Sequence, residues 1–399
     1  MRPDQALGAT AVALQTSHFV KVLLEGHRLA RTTNYGGIDS YWHNLVPELL
    51  KEHTADAEFS LFTAFLNPKH FKALKQFAPL ASSMHHWWAS PDFLARLGKL
   101  EFFTGDHDIV HAPEPIFNFK TSGKLVVTAH DLMYLHHPQY LKNEWVSNLV
   151  KGTESLASRA DYWICNSEHT RQDLMRHYSI PRGRTQVVHM GLSELFRNAY
   201  QNVESIAAVK QQLQLSERQY FLFIGSVEAK KNVELLLRAF GMALGAGLNA
   251  DLVIGGRAGW KSELVQEVVE ELPQLKERVK FLGFVDQQNI APLVAGARAL
   301  VLPSRYEGFG MPVVEAMAAG TPVLCSNRGA LPEIAGDAAQ FFDADDVEKL
   351  KSLIEQLDAD DGMFDKMRQD GLARAHNFSW GKCADETFSA YRETIVLGS

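Results

Sequence analysis

Two glutamates, Glu307 and Glu315, stand eight positions apart around the turn Gly308-Phe309-Gly310-Met311. Pro312 suits the first turn of a helix, so a short helix is predicted over residues 311–319. The start of a helix offers free amide donors to an anion, and glycines let a ligand approach the backbone closely. Carboxylates accept hydrogen bonds from hydroxyls. The turn therefore combines donors for phosphate with acceptors for hydroxyls, which is the pairing that a nucleotide sugar requires.

Two lysines precede another predicted helix in the same half of the chain. Lys230 and Lys231 come after a strand that runs into Gly225, and Asn232 is the expected N-cap of a helix that begins at Val233. Two positive charges beside a helix start would suit a pyrophosphate. Solvated lysines before a surface helix are the alternative interpretation. The two-glutamate turn in the same domain favours the ligand site.

The first half of the chain offers a histidine and a glycine loop. His130 follows the predicted strand Leu125–Thr128, and a histidine at the carboxyl end of a parallel strand is a candidate acid, base or substrate-orienting group. The chain has 16 histidines, so His130 is singled out mainly by its position. The loop Asn34-Tyr35-Gly36-Gly37 could present amides to the same crevice, but it lacks the G-x-G-x-x-G spacing of a nicotinamide-binding loop.

Short apolar segments alternate with longer amphipathic ones along the chain, which predicts an α/β fold with parallel sheets. The strands predicted in the first half are Phe19–Leu24, Glu58–Thr63, Ile109–His111, Leu125–Thr128, Tyr162–Cys165 and Gln186–Val188. Those predicted in the second half are Tyr220–Ile224, Asp251–Ile254, Val279–Leu282, Ala299–Leu302, Pro322–Cys325 and Gln340–Phe342. Two doubly wound, Rossmann-like domains are expected, with ligands at the carboxyl ends of the strands.

A polar stretch without a strand signal, Phe196–Arg218, is expected to hold the domain border. The predicted domains are 18–200, which would bind an acceptor, and 201–378, which would bind a nucleotide sugar. The amphipathic segment 379–399 is predicted to be a helix that packs back on the first domain. Residues 1–17 are expected to form a tail rather than a signal peptide.

Composition limits the classes of function. The formal net charge of -7 and a pI near 6.1 argue against bulk nucleic-acid binding. Cys165, Cys325 and Cys383 lack metal-ligand spacing and fit a reducing cytoplasm. The aspartate groups 343–346 and 358–361 are expected at a helix start and a helix end, so no metal site is predicted. Every apolar run is too short to span a membrane.

Taken together, these residues resemble the GT-B glycosyltransferases, in particular the large retaining family four. The resemblance runs from about Phe19 to Tyr391 and is most specific in the E-x7-E segment within residues 303–323. Supporting matches are Gly36-Gly37, Thr128-Ala129-His130-Asp131, Asn166-Ser167, Gly283-Phe284-Val285, Leu331-Pro332-Glu333 and Phe378-Ser379-Trp380. The resemblance implies a GT-B fold, in which two domains face a central cleft and a C-terminal helix crosses back to the first.

The resemblance also implies roles for the matching residues. Glu307 would contact sugar hydroxyls, Glu315 the ribose, and Lys231 the diphosphate. His130 would lie near the transferred sugar. Further donor contacts are implied at Gly37, Gly225, Lys230, Phe284, Val285, Gly308, Phe309, Gly310 and Met311, with the backbone at Phe284 and Val285 reading the base.

The segment Glu228-Ala229-Lys230-Lys231-Asn232 is similar to the Glu-Pro-Arg-Lys-Asn form in GDP-mannose-dependent members. Ala229 and Lys230 depart from that form, and Lys230 would supply the second cation as a point charge. Ser226 stands where many members place an arginine.

The implied activity is retaining, metal-independent transfer of a hexose, with mannose from GDP-mannose favoured, to a glycan or lipid-linked saccharide. His130, Lys231 and Glu307 would be the catalytic residues, and no cofactor is expected. A UDP-sugar donor, a sugar-nucleotide epimerase and a nucleotide-sugar-binding protein without activity stay open as alternatives. A pyridoxal-phosphate phosphorylase would need a Schiff-base lysine, which no motif in the sequence names.

Three aromatic and basic stretches of the first domain have two interpretations: Phe71–Lys75, His85–Trp88 and Phe93–Leu100. They are interpreted first as core helices. The alternative is a peripheral contact with a bilayer that carries a lipid-linked acceptor. The expected location is the cytoplasm, and the alternative places the protein at the cytoplasmic face of the membrane.

Overall fold

The computed structural model describes residues 19–31, 36–259 and 263–397. The expected N-terminal tail and the Asn34-Tyr35 part of the glycine loop lie outside these residues. The predicted borders between the domains stay predictions. The chain forms two parallel sheets.

The first half of the chain forms a seven-stranded parallel sheet in the order β3-β2-β1-β4-β5-β6-β7. Its strands are β1 Val20–Glu25, β2 Ala57–Ala64, β3 Ser83–Trp87, β4 Ile109–Ala112, β5 Lys124–Ala129, β6 Tyr162–Cys165 and β7 Thr185–Val187. The helices that connect them are α1 Gly37–Glu52, α2 Pro68–Leu74, α3 Pro91–Leu97, α4 Glu101–Thr104, α5 Met133–His136, α6 Asn143–Arg159 and α7 Glu168–Tyr178.

The second half forms a six-stranded parallel sheet in the order β10-β9-β8-β11-β12-β13. Its strands are β8 Tyr220–Ile224, β9 Asp251–Gly255, β10 Val279–Gly283, β11 Ala299–Leu302, β12 Val323–Ser326 and β13 Ala339–Phe342. Its helices are α8 Val203–Gln212, α9 Val233–Gly245, α10 Glu263–Glu271, α11 Gln287–Ala295, α12 Met311–Ala318, α13 Leu331–Ala335, α14 Val347–Ala359 and α15 Asp361–Ala375.

Burial on both faces explains the composition of the central strands. In β11, all four residues of Ala299–Leu302 are fully buried, and β8 begins with four buried aromatic or aliphatic residues. Helices that cover both faces of a parallel sheet leave no face for water, so these strands are apolar throughout rather than alternating. The two Rossmann-like sheets expected from the sequence are therefore confirmed.

One strand was not predicted. Residues 83–87 form the edge strand β3, which pairs only with β2, so interpreting His85–Trp88 as part of a helix was wrong. The segment Ser-Met-His-His-Trp has no β-branched residue and is at most partly buried. Both usual signals of a strand are therefore missing. The other two aromatic stretches do contain helices, α2 and α3.

The last helix, α16 (Trp380–Val396), lies on the first domain. Tyr391 and His111 share a hydrogen bond of 2.6 Å between Oη and Nδ1, and Tyr162 donates to Glu393 at 2.8 Å. Both first-domain partners come from strands of the sheet, β4 and β6. The predicted crossing of the C-terminal helix is therefore confirmed.

One detail of helix capping goes beyond the sequence interpretation. Asp346 caps α14 as expected, but Asp360 does more than end that helix, because its carboxylate also accepts the Met363 amide at the start of α15.

The three cysteines are buried free thiols. Within the described residues, no helix combines the length and the apolar character that crossing a membrane requires.

Candidate active site

A lysine and a glutamate from different strand ends form the centre of the candidate site. Lys231 closes a 3-10 turn after β8, and Glu307 follows β11. Lys231 Nζ donates to Glu307 Oε1 at 2.6 Å, and Ser304 Oγ donates to the same oxygen at 2.6 Å. Because β8 and β11 are neighbours in the sheet, their carboxyl ends bring the two sequence-predicted residues together.

Asn232 positions the two lysines in a way that the sequence did not indicate. Asn232 is the N-cap residue of α9, as predicted, but its side chain makes no capping hydrogen bond to that helix. Instead Asn232 takes a left-handed conformation (φ 56°) and is fully buried. Its amide donates to Pro303 O at 3.1 Å and Ala344 O at 2.7 Å. Asn232 thereby ties the lysine turn to the loops after β11 and β13.

The charges at this centre stabilise one another. Burial favours the neutral acid at Glu307, but the neighbouring lysines and the hydrogen bonds from Lys231 and Ser304 outweigh it and lower the pKa of Glu307. Burial likewise opposes the charge of Lys230, yet the carboxylates of Glu228, Asp131 and Glu307 raise the pKa of that amine. At neutral pH the centre therefore holds the ionised amine of Lys230 near an ionised glutamate.

Gly308 brings the second domain against the first. A Cβ at this position would lie 2.1 Å from the carbonyl oxygen of His130, so only glycine allows the observed approach. Ser167, at the start of α7, donates its hydroxyl to Gly308 O at 2.8 Å. The two-glutamate turn and the predicted histidine thus lie at one interdomain contact, although they are far apart in the sequence.

Glu315 lies one turn inside α12, whose start at Gly310 has a left-handed backbone (φ 99°). Among the described residues, none donates a hydrogen bond to the Glu315 carboxylate or forms an ion pair with it. Burial raises its pKa to about 7. A partly buried carboxylate without a partner is costly to the protein and is available to a ligand that carries hydroxyls.

His130 is held as a neutral imidazole. Its Nε2 donates to the carbonyl of Pro113 at 2.8 Å, and its ring meets the edge of Tyr41 with 4.8 Å between ring centroids. Burial lowers the pKa of His130 to about 4. Since the bond to Pro113 places the proton on Nε2, Nδ1 is left as an acceptor. A neutral acceptor suits orientation of a hydroxyl better than proton transfer at neutral pH.

The remaining predicted donor contacts divide by side-chain burial. Phe284 is 61% exposed, and the guanidinium of Arg257 lies 4.4 Å from the centroid of its ring. Val285 and Phe309 are 7% and 4% exposed, so only their backbones could meet a ligand. Met311 is partly buried against the core.

Two of the predicted glycines, Gly37 and Gly225, differ in their surroundings: the first is open and the second is tightly packed. Gly37 begins α1, and no described atom outside its own helix and chain neighbours lies within 4 Å of a Cβ built there, so its backbone is accessible. Gly225 directly follows β8 and has φ 149°, and a Cβ on Gly256 would lie 1.7 Å from its carbonyl oxygen. Gly225 thus packs against the backbone of Gly256, which follows the neighbouring strand β9.

An ionic group in the first domain was missed by sequence reasoning. Arg28, just after β1, donates from Nε to Glu114 Oε1 at 2.5 Å and from Nη1 to Asp39 Oδ1 at 3.2 Å. A further bond joins Arg28 Nη2 to Glu114 Oε2. Asp39 also accepts the amide of Gly36 at 3.0 Å. The sequence could have indicated this group, because Arg28 follows β1, Glu114 follows β4 and Asp39 lies at the start of α1, and the carboxyl ends of parallel strands lie on the same side of a sheet.

Two further interdomain contacts involve residues that were given no role. The Glu333 carboxylate accepts the amides of Glu168 and His169 at 2.8 and 3.1 Å, and His189 Nε2 lies 2.8 Å away. These bonds outweigh burial and lower the pKa of Glu333. An anion at the start of α7 also interacts favourably with the helix dipole. Tyr306 similarly donates to Asp173 at 3.2 Å.

The site therefore has two sides. The second domain supplies cations, a glycine turn and two carboxylates, while the first supplies His130 and the Arg28 group. Cations beside an interdomain contact can stabilise a leaving diphosphate, and the carboxylates and the imidazole can hold sugar hydroxyls.

Comparisons with known proteins identify the family of the chain. Residues 205–374 match the family model of glycosyl transferases group 1, and residues 35–194 match the model of glycosyltransferase family 4. The chain is 31% identical over 288 residues to an O-antigen chain mannosyltransferase B of Escherichia coli, which covers 71% of this chain and 74% of that protein. It is 26% identical over 289 residues to the serotype-specific mannosyltransferase WbdA of Escherichia coli, covering 71% of this chain but only 35% of WbdA.

Solved structures confirm the fold. A sucrose-phosphate synthase from Thermosynechococcus elongatus superimposes with a TM-score of 0.70 at 20% identity, covering 95% of this chain and 100% of that one. Anabaena HepE in complex with UDP gives a TM-score of 0.71 at 19% identity, covering 93% of this chain and 100% of that one. The two parallel sheets are thus arranged as a GT-B fold. The chain belongs to the group 1 glycosyltransferases and is an enzyme of the hexosyltransferase class.

Proposed function

We propose that the protein transfers mannose from GDP-mannose to a glycan or lipid-linked saccharide, with retention of configuration and without a metal. The observation that carries the proposal is the Lys231–Glu307 pair, set beside Lys230 and next to the contact between Gly308 and His130. A diphosphate would find its counter-charges here, and the sugar attached to it would lie within reach of the first domain.

The donor is inferred from three separate observations. The segment from Glu228 to Asn232 is similar to that of GDP-mannose-dependent enzymes, and both Escherichia coli relatives described above are named mannosyltransferases. Phe284 is exposed, and the guanidinium of Arg257 lies over its ring. Together they offer a flat surface for the base. A UDP-sugar is the competing donor, since HepE was solved with UDP and with UDP-glucose.

Retention is proposed from the resemblance to the retaining family four, and the state of Glu307 bears on the route by which it would occur. Its Oε1 accepts bonds from Lys231 and Ser304, and its charge is balanced by two lysines. A carboxylate stabilised in this way is a weak nucleophile, so a covalent glycosyl-enzyme on Glu307 is disfavoured. Attack by the acceptor on the same face from which the diphosphate departs accounts for retention without that intermediate.

Metal independence is inferred from the cations that the chain itself supplies. As the bond to the sugar breaks, negative charge develops on the diphosphate. Lys230, Lys231 and the amides at the start of α12 would stabilise that charge without reorganisation. His130, neutral at physiological pH, would accept a hydrogen bond through Nδ1 from a hydroxyl of the transferred sugar and would thereby orient the sugar.

The acceptor is assigned to the first domain. The Arg28–Glu114–Asp39 group combines a guanidinium with carboxylates that can hold saccharide hydroxyls, and it lies at the same sheet edge as His130. A saccharide chain, free or carried on a lipid, has the hydroxyls that such a group requires. Closure of the domains around both substrates would exclude water.

A peripheral membrane contact at the cytoplasmic face is proposed for the same domain. Five large apolar side chains near its edge strand are 41–85% exposed, namely Trp87, Trp88, Phe93, Leu97 and Phe102. Aromatic and aliphatic side chains beside basic ones are typical of interfacial surfaces. Sedimentation with anionic liposomes should be lost in Leu97→Ser/Phe102→Ser and kept in Leu264→Ser, whose residue is exposed in the second domain. Equal sedimentation of all three proteins would contradict the contact.

A donor panel tests the proposed activity. The protein would be incubated with GDP-mannose, UDP-glucose and UDP-galactose, each with and without a mannosyl acceptor, and the released nucleotide would be measured. The proposal predicts acceptor-dependent release of GDP from GDP-mannose. Interconversion of a donor without acceptor would indicate an epimerase, and binding of a donor without turnover would indicate a binding protein. Either result would overturn the proposal.

A further inference from the structure

Helix α7 carries three potential metal ligands on one stripe. His169, Asp173 and His177 are spaced four residues apart, and residues at i, i+4 and i+8 share one face of a helix. His136, at the end of α5, faces the same stripe from 37 residues earlier in the sequence. Because one member comes from a distant segment, the group has no linear motif.

The side chains are close enough to share one ion. His136 Nε2 lies 2.8 Å from Asp173 Oδ2, and the rings of His136 and His177 have centroids 5.0 Å apart. One ligand atom from each of His136, Asp173 and His177 lies within 4.8 Å of the others. Asp173 is 4% exposed, so its carboxylate has a fixed position.

A fourth residue extends the group. His169 Nε2 is buried and lies 3.4 Å from Asp173 Oδ2, but it forms no hydrogen bond of acceptable geometry with any residue that the structure describes. A buried ring nitrogen without a partner is uncommon, because burial without a hydrogen bond is costly. The nitrogen is directed at the carboxylate that would hold the ion.

We propose that His136, Asp173 and His177 form a binding site for a divalent transition metal such as Zn²⁺. Two imidazoles and one carboxylate are a common ligand set for zinc, and a water molecule would complete four-coordination. His136 Nε2 would bind through its lone pair, so its proton would move to Nδ1 and the hydrogen bond to Asp173 would be replaced by two bonds to the metal. The site lies outside the lysine–glutamate centre, and no step of sugar transfer passes through it.

The position of the site gives the ion an influence on the interdomain contact. Tyr306, the residue before Glu307, donates its hydroxyl to Asp173 Oδ2 at 3.2 Å. The Tyr306 ring also stacks on His136 at 5.8 Å between centroids and packs against His169 at 5.5 Å. A metal on Asp173 would therefore strengthen or displace the contact that Tyr306 makes from the second domain.

Titration of the full-length chain tests the site. Zn²⁺ binding would be measured by isothermal titration calorimetry on the metal-free protein, and Co²⁺ would be added separately because tetrahedral Co²⁺ has a characteristic visible absorption. His177→Ala is the primary variant, since His177 is exposed and its removal leaves the buried Asp173 in place. His376→Ala is the matched control, because His376 is exposed at the end of α15.

The expected result is one saturable site in the wild type and in His376→Ala, with affinity at least tenfold weaker in His177→Ala. Zn²⁺ should also raise the Tm of the wild type and of the control more than that of His177→Ala, because a ligand that binds only the folded state stabilises it. Absence of saturable binding to the wild type would leave these residues as a hydrogen-bonded interdomain contact and overturn the proposal. Binding that His177→Ala does not weaken would overturn it as well.

Discussion

Lys231 Nζ and Glu307 Oε1 lie 2.6 Å apart at the ends of two neighbouring strands, and each charge stabilises the other. In this state the lysine is already satisfied, so an incoming diphosphate must share it with the glutamate. Sharing is possible because an ammonium has three donors. The pair therefore keeps the cation in place before the donor binds, and the diphosphate can be stabilised without reorganising the site.

Replacing Lys231 should lower turnover far more than stability. We expect Lys231→Ala to reduce kcat by about 10²–10³, because a preorganised charge next to the leaving group is lost. Lys349→Ala, at an exposed position of α14, is the control and should keep full activity. Steady-state kinetics with saturating donor would measure the effect. A loss below about tenfold would remove Lys231 from the stabilisation of the leaving group.

The double variant Lys231→Ala/Glu307→Gln separates the pair's structural role from its chemical role. Lys231→Ala removes the directly paired cation of a buried carboxylate and leaves only Lys230 nearby, so neutralising Glu307 should restore much of the lost Tm. It should not restore kcat, since the cation is still missing. Recovery of both quantities together would indicate that the pair only supports the fold.

The ionised carboxylate of Glu315 should lower the stability of the protein at high pH. Its pKa in the folded protein, about 7, lies above the ordinary value of 4.5, so the folded state binds the proton more tightly than the unfolded state. The stability that this provides is full below pH 4.5 and is lost as pH rises through 7. Glu315→Gln should therefore melt about 2 °C or more above the wild type at pH 8.5 and equally at pH 4.5.

The same Glu315→Gln variant should bind the donor about 10–100 times more weakly, because a carboxylate accepts ribose hydroxyls better than an amide does. Calorimetric titration with the nucleotide at pH 8 would measure this. Unchanged affinity would contradict the ribose role, whatever the melting curves show.

Enlarging Gly308 should disturb the contact between the domains. The Cβ of Gly308→Ala would meet the carbonyl oxygen of His130 at 2.1 Å, which forces the turn away from the first domain. We expect a stability loss of about 1–3 kcal/mol and a fall of more than tenfold in kcat/KM. Gly245→Ala is the matched control, since no atom lies within 4 Å of a Cβ there. Equal behaviour of the two variants would show that the close approach is unimportant.

Arg28 should matter for the acceptor and not for the donor. Arg28→Lys keeps the charge but loses the bidentate bonds to Glu114, so the KM for the acceptor should rise about tenfold while donor affinity stays unchanged. Arg31→Lys is the control, because Arg31 is 49% exposed and lies 3.8 Å from the same Asp39. An equal loss of donor affinity would place the Arg28 group outside the acceptor site.

Local patterns predicted most of the fold. Strands such as Ala299–Leu302 are continuous apolar runs, and burial on both faces leaves few other interpretations. The edge strand Ser83–Trp87 escaped because it has neither apolar continuity nor β-branched residues. The position of Asn232 at the start of α9 was predicted, but the hydrogen bonds from its amide to the carbonyls of Pro303 and Ala344 were not, because capping preference is local.

Contacts between the domains could not be predicted in the same way. The bonds from Glu333 to the start of α7, and from Tyr306 to Asp173, depend on how two separately folded sheets meet. No periodicity in either segment carries that information. The pairing of Lys231 with Glu307 was accessible, since both follow strands of one sheet and a resemblance to a known family assigned them to one ligand.

The most direct test follows the anomeric proton of the transferred sugar. GDP-α-mannose, a saccharide acceptor and the protein would be combined in the presence of EDTA, and the first product formed would be observed by ¹H NMR. We predict an α-linked mannoside that accumulates together with GDP, and transfer that EDTA does not abolish in the wild type or in His177→Ala, which lacks the metal site proposed on α7. A β-linked product would contradict retention, and loss of transfer on chelation in both proteins would contradict stabilisation of the leaving diphosphate by Lys230 and Lys231 alone.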